Sequence, residues 1–147
     1  MDEIDDRILS ILATNGRASF AAIGAEVGLS PHGTADRIRR LERDRVITGY
    51  AARIDPAGVG RSLDAFIDIR LLPATDPEDF ERRVAKLTSV RELAFLTGRF
   101  DYQLRVACLD ADDLNRTVRA IRQSGAAGTE TRIVLRSSSF ERGFDVP

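Results

Sequence analysis

A chain of 147 residues with 43% hydrophobic content is too apolar to be disordered, and it suits one medium domain or two small ones. A net charge of −1, with acids and bases nearly balanced within the first 60 residues, excludes a global basic field, so any nucleic-acid footprint must be a local patch. The lone Cys108 and single histidine exclude a disulfide framework and a Cys/His metal cluster; with no basic-then-apolar leader and no membrane-length apolar run, a cytoplasmic chain without metal or cofactor is expected.

Asp2 is placed to cap a first helix, and Asp5, three positions on, can reach back in a capping box. Ile4, Ile8, Ile11 and Leu12 form the apolar face of that helix, and Asn15-Gly16 stops it. Ser19 opens a second helix, with Phe20, Ile23 and Val27 at helical spacing until Gly28. Gly28-Leu29-Ser30 then leaves room only for a tight turn, so the next helix crosses steeply.

That third helix is the stretch Ser30–Asp44, SPHGTADRIRRLERD. Ser30 is its cap and Pro31 suits the first helical position. Ala35, Ile38 and Leu41 line one side, and His32, Gly33, Asp36, Arg37 and Arg40 fall on the other. A capped helix with a buried stripe and guanidinium groups opposite fits the major groove of double-stranded DNA. Arg37 and Arg40 are the candidates for guanine edges, with His32, Gly33 and Thr34 near the helix start. Thr34, four residues before Ile38, has a second reading as a core residue, and Ser30 serves either as phosphate contact or as cap alone. Arg39, Arg43, Arg45 and Arg53 are candidates for phosphate contacts. Val46–Tyr50 and Ala51–Asp55 are read as a small β wing around Gly49.

Asp55-Pro56-Ala57-Gly58-Val59-Gly60 breaks the composition and marks a domain boundary. Beyond it the period changes to two. Leu63–Leu71 alternates as a strand, and Phe80, Val84 and Leu87 mark a helix from Asp76-Pro77. Val90–Thr97 and Tyr102–Cys108 read as strands separated by a turn at Gly98–Asp101. Leu114, Val118 and Ile121 give a helix, and Thr129–Ser137 a last strand. The order β-α-β-β-α-β is the split βαβ, or ferredoxin-like, pattern, making the whole chain α+β. Helices on one face leave the other open, with Asp64, Phe66, Asp68, Arg70, Leu96, Gln103, Arg105, Arg132, Val134 and Arg136. Two readings stand for that face: cross-strand ion pairs in a solvated sheet, or a sheet-on-sheet homodimer.

The text DEIDDRILSILATNGRASFAAIGAEVGLSPHGTADRIRRLERDRVITGYAARIDPAGVG, followed by LTGRFDYQLRVACLDADDL and TETRIVL, resembles the Lrp/AsnC feast/famine regulators over essentially the full length. The resemblance implies a winged helix-turn-helix over residues 1–50, a hinge strand or linker over 51–61, and a ferredoxin-like domain over 62–147. It implies that the last of these binds an effector and forms dimers and often octamers. It further implies an amino acid or related small metabolite as effector, near Thr97, Gly98, Arg99, Asp101 and Tyr102. In that role Asp101 would hold an α-ammonium group and Tyr102 would supply a wall or a hydroxyl. Without it, the same stretch reads as a hairpin in which Asp101 satisfies its own turn.

Three residues depart from the family pattern. Arg45 stands where Gly is usual, Asp36 where Arg is common, and Arg99 where the Gly-Asp-x-Asp-Tyr loop carries an acid. The last predicts preference for an acidic or aromatic amino acid. Two other functions are weighed. Some proteins resembling the family are decarboxylases of haem biosynthesis that use His and Arg near the sheets; here the second domain has no His. A sensor or assembly protein that has lost DNA contact is the other, supported by Asp36 and the near-neutral first domain.

Overall fold

A computed structural model describes residues 1–138, so the end of the second expected domain, residues 139–147, lies outside the described residues. The described chain divides into two compact units, Met1–Arg53 and Ile54–Ser137.

The first unit holds α1 (Glu3–Thr14), α2 (Phe20–Val27) and α3 (Pro31–Arg43). The capping box forms as expected: Asp5 donates its backbone N–H to Asp2 at 2.9 Å, and Asp2 donates its own to Asp5 at 3.2 Å. Ser19 accepts from the Ala22 N–H at 3.1 Å, and Ser30 from the Gly33 N–H at 3.1 Å. Gly28 takes φ +75°, the left-handed conformation that ends a helix without a Cβ penalty. Ile8, Ile23, Val27, Ile38 and Leu41 make the core, with Ile4, Ile11, Leu12 and Leu29 against it. α2 meets α3 so closely that a Cβ on Gly24 would lie 2.6 Å from the Leu29 carbonyl oxygen and 2.8 Å from Thr34 Oγ1.

The expected wing does not form: no strand is present among residues 44–62. The chain leaves α3 through Arg45 at φ +56°, and the Val46 and Ile47 N–H groups both bond back to the Leu41 carbonyl, at 2.9 and 3.1 Å. Those bonds tie the would-be first wing strand to the helix end. The left-handed conformation at a non-glycine residue costs about 1 kcal/mol, which Arg45 bears where the chain turns off the end of α3. In place of a hinge strand, a 3-10 turn spans Ala57–Val59.

The second unit contains β1 (Leu63–Leu71), α4 (Pro77–Val84), β2 (Val90–Phe95), β3 (Tyr102–Cys108), α5 (Ala111–Gln123) and β4 (Ala126–Ile133). The sheet order is β2-β3-β1-β4, all pairs antiparallel, which is the expected ferredoxin-like arrangement. β4 starts earlier than the alternation suggested because Gly125, at φ +118°, ends α5 abruptly and puts Ala126 straight into register opposite Leu71. Ala65, Ile67, Ile69, Leu104, Val106 and Cys108 pack under Phe80, Val84 and Ile121. The other face carries the expected cross-strand pairs. Arg105 donates to both Asp64 oxygens at 3.2 and 2.8 Å, and Asp68, 5% exposed, accepts from Gln103 at 2.9 Å and Arg132 at 2.6 Å.

Candidate DNA interface and effector loop

On α3, Thr34, Ala35, Ile38 and Leu41 are buried. Thr34 is therefore a core residue; its hydroxyl donates to the Ser30 carbonyl at 3.0 Å and is unavailable to DNA. Ser30 serves as the cap, and Gly33 sits so near it that a Cβ would come 3.3 Å from Ser30 Oγ. The opposite side presents His32, Asp36, Arg39 and Arg43, with side chains 86%, 56%, 63% and 72% exposed. These four recur at helical spacing and form the outward stripe of α3.

Arg37 and Arg40 are placed differently from the base-reading role assigned to them. Arg37 Nη1 lies 2.8 and 2.7 Å from the two Asp2 oxygens and 2.9 Å from Asp5 Oδ1; Arg40 Nη2 lies 2.6 Å from Asp5 Oδ2. Both guanidinium groups are thus committed to the start of α1. Asp5 is fully buried, so it needs those donors. The Arg37 hydrogen bond, ahead of that from the Asp5 N–H, holds the Asp2 carboxyl below its ordinary range, and Asp2 and Asp5 in turn raise Arg37. Helical periodicity showed that these arginines lie off the apolar stripe. It did not show that two capping carboxylates would face them. The matched spacing was the available signal: acids at positions 2 and 5, bases at 37 and 40, each pair one turn apart.

In the second unit, the segment 96–101 joins β2 to β3. Gly98 has φ +112°, and a Cβ there would meet nothing within 4 Å. Asp101 donates its N–H to the Ile69 carbonyl at 2.8 Å, while its Oδ2 accepts the Leu71 N–H at 2.7 Å. One carboxylate oxygen thus secures the β1 bulge at Arg70/Leu71, close to the hairpin reading. Arg70 donates to the Arg99 carbonyl at 3.0 Å, and the Arg99 guanidinium lies 5.2 Å from the Phe100 ring centroid. Thr97, Gly98 and Arg99 are exposed. Tyr102 is the exception to the expected cluster: it is fully buried on the helix-covered face, and its hydroxyl donates to Glu81 at 2.7 Å. Burial first, and Glu81 second, push its pKa up. Its ring lies 5.1 Å from Phe80 and 4.9 Å from Phe95, so it acts as a wedge behind the loop rather than a wall before it.

No cluster of His, Cys, Asp and Glu able to hold a metal occurs among the described residues, and no helix of theirs is long and apolar enough to cross a membrane.

Residues 1–42 match the AsnC-type helix-turn-helix domain, and residues 64–143 match the Lrp/AsnC ligand-binding domain. The chain belongs to the Lrp/AsnC family. Among its relatives is the HTH-type transcriptional regulator LrpA of Mycobacterium tuberculosis, 32% identical over 142 residues, covering 97% of this chain and 95% of that one. The leucine-responsive regulatory protein of Escherichia coli is 34% identical, covering 92% and 85%. Among solved Lrp/AsnC structures, a Neisseria meningitidis transcriptional regulator in complex with L-methionine superposes with TM-score 0.91 at 29% identity, covering 98% and 96%. A feast or famine regulatory protein of Mycobacterium tuberculosis complexed with L-methionine gives 0.89 at 33% identity, covering 96% of each chain.

Proposed function

We propose that this protein is a DNA-binding transcriptional regulator whose second unit responds to an amino acid. The observation that carries the reading is the exposed stripe His32–Asp36–Arg39–Arg43 on a doubly capped, well-anchored α3. Family membership supports it, because relatives such as the Mycobacterium tuberculosis LrpA are named HTH-type transcriptional regulators. Arg43, at the exposed far end of that stripe, supplies a phosphate contact. Arg43→Ala should weaken binding to all duplexes alike and reduce the salt slope by about 1. Arg37→Ala should instead lower the melting temperature, with DNA binding lost only as folding is lost. Titration of duplexes across salt concentrations, beside thermal melts, separates the two; a well-folded Arg37→Ala protein with relaxed base preference would restore Arg37 to the groove.

The amino-acid effector is supported by the L-methionine complexes of two structural neighbours and by the open Gly98 turn. Thr97, Gly98 and Arg99 offer exposed backbone and charge, and Asp101 keeps one oxygen beyond its bond to Leu71 for an ammonium group. The guanidinium groups of Arg70 and Arg99 favour an acidic side chain, with Phe100 available to an aromatic one. Thermal-shift screening of the amino acids should find acidic or aromatic ligands ahead of aliphatic ones, and Arg99→Asp should reverse the order. An unchanged order in Arg99→Asp would remove the charge argument.

The open sheet face, with Phe66 among the paired charges, supports a homodimer, which further association could build into an octamer. The Arg105 guanidinium lies over the Phe66 ring, 5.5 Å from its centroid, and is tied to Asp64. Sedimentation should show at least dimers at micromolar concentration, and Phe66→Asp should shift them toward monomers. Monomers in the wild type would sink this face as the interface.

A further inference from the structure

The outward stripe of α3 has an acid at its centre. At about 100° per residue, Asp36 lies directly opposite the buried side chains of Thr34, Ile38 and Leu41. Its Oδ2 is 3.3 Å from His32 Nε2 and its Oδ1 is 3.2 Å from Arg39 Nη1. A bare carboxylate at this position would be repelled by the phosphates on both sides of a groove. Flanked by an imidazole and a guanidinium, it can enter.

We propose that Asp36 is a specificity-determining residue that accepts a hydrogen bond from the exocyclic amino group of a cytosine in the major groove. The proposal rests on the DNA-binding reading above and adds the base. A carboxylate can only accept. The donors on the major-groove edges are the cytosine N4 and adenine N6 amino groups. Adenine sets its N7 acceptor beside N6, where it would oppose the second carboxylate oxygen. Cytosine has no acceptor there. The guanine paired with that cytosine presents O6 and N7, both acceptors, to the Arg39 guanidinium held at Asp36. The Asp36–Arg39 couple thus matches a C·G pair as a unit. Arg37 and Arg40, which would otherwise be the natural guanine readers on this helix, are occupied by Asp2 and Asp5.

Selection from a pool of randomised duplexes by the full chain tests this directly. The wild type should enrich cytosine at one position of each half-site, and replacing that C·G by T·A should weaken binding roughly 10-fold. Asp36→Asn should move the preference to adenine, because an amide pairs with N6 and N7 together. Asp36→Ala should remove discrimination at that position alone. Asp36 is exposed, so both variants should melt with the wild type. If the wild type binds duplexes but selects no cytosine, or if the cytosine survives Asp36→Asn and Asp36→Ala, the assignment is overturned while DNA binding stands. If the wild type retains no duplex from the pool, both fail together.

Discussion

Valine in place of Gly24 should unfold the first unit's helix crossing and abolish DNA binding at temperatures where the wild type is intact. The cause is contact, not backbone angle. A Cβ at Gly24 would sit 2.6 Å from the Leu29 carbonyl oxygen and 2.8 Å from Thr34 Oγ1, both nearer than real Cβ contacts come. Thr34 is fully buried and its hydroxyl is held by Ser30, so it cannot swing away without breaking that bond. The Leu29 carbonyl is worse placed to yield, because the Leu29 N–H is bonded to the Gly24 carbonyl at 2.9 Å. Overpacking of this kind costs about 3 kcal/mol, and more for the branched side chain than for alanine. In a domain this small that corresponds to a fall of roughly 12–24 °C in the melting midpoint. Thr34→Ala should not rescue Gly24→Ala, because the backbone obstacle remains. Full rescue by Thr34→Ala, read in thermal melts of the double variant, would show that the close approach of α2 to α3 is set by the threonine alone.

Gly24 also marks where sequence reasoning stops. Caps and periods are local, and they were legible: Asp2, Ser19 and Ser30 cap where expected, Gly28 turns the chain, and alternation picked out the four strands and their buried face. The paired charges of Asp64 with Arg105 and Asp68 with Arg132 follow from the same alternation once the strand order is known. A glycine inside a helix looks like any other weak helix residue until a second helix is laid on it. Tyr102 belongs to two patterns at once: it alternates with Leu104 and Val106 along β3, while the family's loop motif sets it beside Asp101. In the folded chain, alternation prevails for the side chain. The wing failed for a related reason: Val46–Asp55 has β-compatible residues, but a strand needs a ladder partner, and the first of these N–H groups bond back to Leu41 instead. Arg37 and Arg40 are the case that changes function. Their placement away from the apolar stripe was correct, yet their partners sit 35 residues away in sequence at Arg37–Asp2 and Arg40–Asp5.

Those partners lead to the other large expected effect. Asp5→Asn should destabilise the first unit by about 2–3 kcal/mol at neutral pH, below the upper range for a broken buried ion pair because the partners keep water access: the Arg37 and Arg40 side chains are 25% and 44% exposed. Asp5 itself is fully buried and joins two elements of the fold through three partners: the α1 cap through the Asp2 N–H, and α3 through Arg37 and Arg40. An amide there turns one acceptor into a donor facing guanidinium donors, so charge and hydrogen bonding are lost together. The contact between α1 and α3 should also depend on pH, through Asp2, in a definite direction. Asp2, beside it, is depressed by Arg37, so the stability it contributes is complete above the ordinary carboxylate range and lost as pH falls through its lower folded value. Acid should therefore loosen the contact between α1 and α3 in the wild type, and the gap between wild type and an Asp2→Asn variant should narrow as the pH falls through the lowered folded value of Asp2. Urea melts of both proteins across that range read the result. A gap that persists undiminished in acid would mean that Asp2 acts through its capping hydrogen bond alone, and that Arg37 does not owe its position to the charge at the start of α1.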